Sequence, residues 1–166
     1  MRVISTTILI FLILTSCASK REAGKTVDQD LLGKKEKQEW FSQTNTLNNY
    51  ISHKPDEEDL RTFKSLLKKK HYTFVIYAGY DCSDCHENIP KILKIFDAAG
   101  ISESDYSIYL LDHKLEEPGG YHKNHDIPTT PSLFIMHDGV EIGMITYPYY
   151  NWLEMMIEII REDLNN

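Results

Sequence analysis

The residues of this 166-residue chain best placed to do chemistry are Cys82 and Cys85, in the run Asp81-Cys82-Ser83-Asp84-Cys85-His86. Two cysteines three positions apart can meet within one helical turn, so they can open and close a disulfide. Residues 73–78 (Thr-Phe-Val-Ile-Tyr-Ala) are β-branched and aromatic and read as a buried strand, broken by Gly79-Tyr80-Asp81. After the pair, Ile89, Ile92, Leu93, Phe96 and Ala99 recur at helical spacing up to Gly100. The cysteines therefore fall at a strand-to-helix junction. Unpaired backbone N–H groups and the positive end of the helix dipole stabilise a thiolate there, the reactive form. In such a pair Cys82 attacks a partner disulfide and Cys85 resolves the mixed disulfide. Asp81 and Asp84 oppose the dipole, which points to a reducing or exchanging role and away from a strong oxidant.

The third cysteine, Cys17, belongs to a different feature. Met1-Arg2 is a short basic start, and residues 3–14 form an apolar run. That run is shorter than the roughly 20 residues of a membrane span and suits a signal-peptide core. Leu14-Thr15-Ser16-Cys17 resembles the lipobox of bacterial lipoproteins. The resemblance implies a signal peptide over 1–16, cleavage before Cys17 and lipidation of Cys17. An ordinary secretory signal followed by a chance cysteine is the other reading. Residues 17–33 are polar and without apolar periodicity, as expected of a tether to a domain over 34–166. With Cys17 lipidated, Cys82 and Cys85 are the only sulfhydryls left, and an exported protein with one C-x-x-C is expected to use it.

Around the pair the chain alternates elements. Residues 34–51, with Trp40, Phe41, Leu47, Tyr50 and Ile51, read as one amphipathic helix weakened by a Gln/Thr/Asn stretch. Pro55 and the acids at 56–59 begin a helix carrying Leu60, Phe63, Leu66 and Leu67 on one face. Strands follow over 106–111, 132–136 and 140–146, the last two joined by an Asp138-Gly139 hairpin turn. Residues 112–126 are irregular or partly helical. Asn151 and Glu154 resemble a capping box opening a final helix with Trp152, Leu153, Met156, Ile157, Ile160 and Leu164 in its buried stripe. The expected fold class is α/β, a mixed central sheet with helices on both faces.

Over about 56–163 this pattern resembles the thioredoxin family. A strand precedes the C-x-x-C, Pro90 lies eight residues after Cys82, and Ile127-Pro128-Thr129-Thr130-Pro131-Ser132 resembles the family's cis-proline segment, with Gly139 at its hairpin glycine. The resemblance implies a thioredoxin-like fold with Pro131 in cis beside the sulfurs, aligning substrate backbone and keeping metal from the dithiol, and with Thr130 in contact with substrate. The chain departs from the family at Asp81, where thioredoxins carry tryptophan, at Ser83-Asp84, where they carry Gly-Pro, and at Ile76, where thioredoxin has a buried acid. The implied function is a lipid-anchored thiol–disulfide oxidoreductase of the bacterial cell envelope, facing the periplasm or exterior. It would need no cofactor beyond the Cys82–Cys85 disulfide. Its partners would be envelope protein thiols and disulfides, an electron donor or acceptor thiol protein, and the membrane through Cys17.

Other readings of the same residues remain. Cys82-x-x-Cys85-His86 also satisfies the pattern of c-type haem attachment. A thioredoxin-like domain can also serve as a non-catalytic interaction module. His122 and His125, with His113 nearby, would be a metal cluster if they met, although no metal is expected. A net charge of −7 disfavours nucleic acid, and the single basic run, Lys68-Lys69-Lys70, suits a helix C-terminus. Tyr147, Tyr149 and Tyr150 are expected to pack around Pro148.

Overall fold

A computed structural model describes residues 28–146, 148 and 151–166. The signal segment, Cys17, most of the tether, and Tyr147, Tyr149 and Tyr150 lie outside the described residues.

The frame is a five-stranded sheet: β1 (Gly33–Lys35), β2 (Tyr72–Gly79), β3 (Tyr106–Leu111), β4 (Ser132–His137) and β5 (Val140–Thr146), in the order β1-β3-β2-β4-β5. Central β2 is parallel to β3 and antiparallel to β4; β1 and β5 pair antiparallel at the edges. Apart from Thr73, β2 is apolar, as suits a strand covered on both sides. The β4–β5 turn forms where Asp138 and Gly139 both adopt positive φ, 51° and 77°, the geometry that Asp-Gly favours in a two-residue hairpin.

Among the described residues five α-helices accompany the sheet: α1 (Lys37–Thr44), α2 (Leu47–Ser52), α3 (Glu57–Leu67), α4 (Ser83–Ala99) and α5 (Trp152–Asn165). Asp56 caps α3 by accepting from the Glu58 and Asp59 amides at 2.9 Å. Gly100, at φ 82°, ends α4. Asn151 caps α5 by accepting from the Glu154 amide, as the capping-box spacing predicts.

The expected mixed sheet with flanking helices is present, but among the described residues the helices pack in the larger core on one face, not on both faces as expected. There Phe74, Ile76 and Ala78 of β2 meet Phe63, Ile89, Phe96, Trp152 and Met156. The other face carries a smaller cluster of Tyr77, Tyr109, Leu111 and Phe134, with Leu115 and Ile127 packed against it. Residues 112–126 supply only a short 3-10 turn, Tyr121–Asn124, so tyrosine rings do the covering on this side. Tyr109 stacks on Tyr77 and on Tyr121 at centroid distances of 5.6 and 5.1 Å.

The N-terminal region departs from the single helix expected over 34–51. Gly33–Lys35 is a strand, and the helix behind it breaks at Asn45, which takes a left-handed φ of 54°. Lys35 is buried in that strand, and its ammonium is neutralised by Glu39 at 2.9 Å. Inside the expected tether, Gln29–Leu31 form a 3-10 turn. Among the described residues no helix is long and apolar enough to cross a membrane.

Candidate active site

Cys82 and Cys85 are joined as a disulfide at the start of α4, with a Cα–Cα distance of 5.2 Å. β2 ends at Gly79, and three residues later Cys82 occupies the N-cap of α4. Its Sγ accepts from the Cys85 amide at 3.0 Å, so this sulfur takes up one of the donors that a helix start leaves unpaired. The two sulfurs sit in different surroundings. Cys82 is partly exposed, whereas Cys85 is fully buried and accepts from the Gly79 amide at 3.4 Å.

The segment singled out with the cysteines lies against them. Cys82 Sγ is 3.5 Å from the Thr130 carbonyl oxygen, within reach of a thiol proton in the reduced state. The Thr130–Pro131 peptide bond is cis, and Pro131 is buried where the chain enters β4. Ser132 holds the turn from below, donating to the Thr129 carbonyl at 2.7 Å. Gly79 is what permits this approach: a Cβ built there would lie 2.7 Å from Thr130 Oγ1 and 3.1 Å from Cys82 Cβ. Glu117 anchors the loop leading to this turn. Burial would raise its carboxyl, but hydrogen bonds from the Gly119 and His122 backbone amides and the His122 ring hold it below the usual range.

Three positioning contacts had no signal in the sequence. Pro90 has no amide to give the His86 carbonyl four residues back, and the Asn49 side chain donates to that carbonyl instead, at 3.1 Å. Asn88, buried on the first turns of α4, donates to the Asp84 carbonyl at 2.8 Å and accepts from Trp152 Nε1 at 3.0 Å. It thereby ties the C-x-x-C turn to α5. Gly79 is the third, since a glycine after a strand reads from sequence only as a breaker.

Of the polar residues flanking the pair, Asp81 is exposed and His86 partly buried. Asp81 is 63% exposed and 3.8 Å from His113 Nε2. His86 stands edge-on to the buried ring of Trp40, with centroids 6.1 Å apart. The histidines considered for a metal have separate partners: His113 faces Asp81, His122 faces Glu117 and His125 faces Glu141. Among the described residues no group of three or more His, Cys, Asp or Glu is arranged to hold a metal.

Compared with protein-family models and with curated proteins, the chain matches none.

Proposed function

We propose that the protein is a thiol–disulfide oxidoreductase of thioredoxin-like fold, acting on protein disulfides outside the cytoplasm and anchored by lipid on Cys17. The observation that carries this reading is the asymmetry of the pair. A partly exposed cysteine caps a helix N-terminus, a fully buried one stands behind it, and the Thr130 carbonyl lies 3.5 Å from the first sulfur. The sheet order, the parallel β2–β3 pair, the β4–β5 hairpin and the cis Thr130–Pro131 bond support the family resemblance.

In the reduced protein the Cys82 thiolate attacks one sulfur of a partner disulfide. A bond forms between Cys82 and the partner, the partner's S–S bond breaks, and one partner sulfur leaves as a thiolate that takes up a proton. Cys85, deprotonated, then attacks the Cys82 sulfur, and the second partner thiol leaves. Two electrons have passed to the partner, and Cys82–Cys85 is oxidised. A thiol protein of the envelope returns the electrons by the same two steps in reverse. The haem reading needs both sulfurs open to a macrocycle, whereas Cys85 has no exposed surface and packs among core residues such as Ile89 and Ala78.

Trapping with Cys85→Ser tests the proposal. The variant lacks the resolving thiol and is expected to accumulate Cys82-linked mixed disulfides with envelope proteins. The Cys82→Ser variant is expected to trap none. Wild-type protein should reduce insulin disulfides, and Cys82→Ser should not. Absence of both trapping and reduction would favour the non-catalytic module.

A further inference from the structure

Beside the dithiol lies a cavity of about 430 Å³ that the exchange chemistry does not use. Leu31, Tyr80 and Leu110 give it apolar lining; Gln43, Thr44, Asp81 and His86 give it polar lining. Its volume is within the range of about 300–1,000 Å³ that holds small ligands. Three observations bear on what it takes.

The first is position. Asp81 directly precedes Cys82 and His86 directly follows Cys85, so cavity and dithiol share a wall. Thr130 and Pro131 lead into β4 on one side of β2, whereas Leu110 belongs to β3 on the other. A segment crossing Cys82 from the Thr130–Pro131 turn therefore runs toward the cavity.

The second is chemistry. Apolar walls beside the Asp81 carboxylate, whose neighbour His113 stands 3.8 Å away, the Gln43 amide and the Tyr80 ring suit a side chain with an aliphatic stem and a cationic head. Among the described residues no lysine or arginine lines the cavity. Asp84 lies nearby in the same turn, and the chain carries a net charge of −7. The third is origin. Leu31 and Gln43 come from the turn and helix before α3, outside the 56–163 span of the family resemblance.

We infer that this cavity is a specificity pocket for a lysine or arginine next to the reactive cysteine of the partner protein. The inference rests on the oxidoreductase reading above and deepens it.

The test uses the reduced full chain in detergent and short peptides whose single cysteine carries thionitrobenzoate in disulfide linkage, with arginine, leucine or glutamate as neighbour. Thionitrobenzoate release reports attack by Cys82. The arginine peptide is expected to react roughly fivefold faster than the glutamate peptide, the scale of one partly exposed ion pair. Gln43→Trp, which fills the cavity, and Asp81→Asn should each shrink that ratio. Gln43→Lys, which puts a cation in the cavity, should turn the preference toward glutamate. Equal release from all peptides, or a ratio unmoved by both Gln43 variants, overturns the pocket and leaves the oxidoreductase reading standing. Release from none overturns both.

Discussion

The side-chain amide of Asn49 takes the place of the backbone amide that Pro90 lacks: it donates to the His86 carbonyl at 3.1 Å. A proline inside a helix leaves the carbonyl four residues back unpaired. Here that carbonyl is one residue past Cys85, so α2 repairs the helix beside the reactive pair. Asn49→Ala is expected to cost about 1 kcal/mol in urea denaturation. In a Pro90→Ala background, residue 90 supplies its own amide and the same change should cost less. A coupling below about 0.5 kcal/mol in the double-mutant cycle would show that the two residues act independently.

Gly79→Ala places a methyl group against Thr130 and Cys82 at once. Overpacking of this kind is expected to destabilise the fold by roughly 1–3 kcal/mol. Adding Thr130→Ala to Gly79→Ala removes the nearer clash and should recover part of the loss. Thermal melts of the two variants check this, and equal melting points would show that the turn gives way freely.

Asn88→Leu leaves the Trp152 indole N–H without its acceptor in a buried setting. The expected loss is roughly 1–3 kcal/mol. Because Asn88 also holds the Asp84 carbonyl, the reduction potential of the dithiol should move as well. An unchanged potential would confine Asn88 to packing.

Far from the dithiol, Asp163 accepts from the Tyr72 hydroxyl at 2.8 Å, the Lys70 ammonium at 3.1 Å and the His137 ring at 3.2 Å. Burial works to raise its carboxyl, but these donors outweigh it and hold it below the usual aspartate range. A carboxyl depressed in the folded state contributes stability that is fully present above its unfolded value, about 3.9. That stability is lost as pH falls through the lower folded value. Wild type should therefore lose more stability than Asp163→Asn between about pH 5 and pH 2. Parallel stability–pH curves would contradict the assignment.

Alkylation should separate the two sulfurs. In the reduced native protein Cys82 is expected to react with iodoacetamide at least about tenfold faster than the buried Cys85. Similar rates would remove the asymmetry on which the proposed function stands.

Local chemistry made much of this legible in advance. The strand–cysteine–helix junction, the Asp56 and Asn151 caps and the Asp138-Gly139 turn each depend on a few neighbouring residues, so short windows of sequence carry them. β1 escaped because Gly-Lys-Lys has no alternating apolar side; it forms by backbone pairing to β3, with Lys35 neutralised by Glu39. The break at Asn45 escaped because one left-handed residue leaves the hydrophobic period almost intact. Asn49–His86, Asn88–Trp152 and Gly79–Thr130 escaped for a common reason: each pairs residues 37 to 64 positions apart or is set by how closely two backbones approach.

The direction of β1 has a consequence for how the domain works on a surface. Because β1 runs antiparallel to β3 with Gly33 opposite Leu110, the chain joins the sheet at the end where Gly79 lies opposite Leu111 and β2 delivers Cys82. Whatever holds the N-terminus therefore holds the redox end. With lipid on Cys17 as proposed, ten residues lie between the anchor and Asp28, so the span is at most about 40 Å of extended chain. Partners on the same membrane would then meet Cys82 at an effective concentration set by that short leash, and the width of the domain would not stand between them.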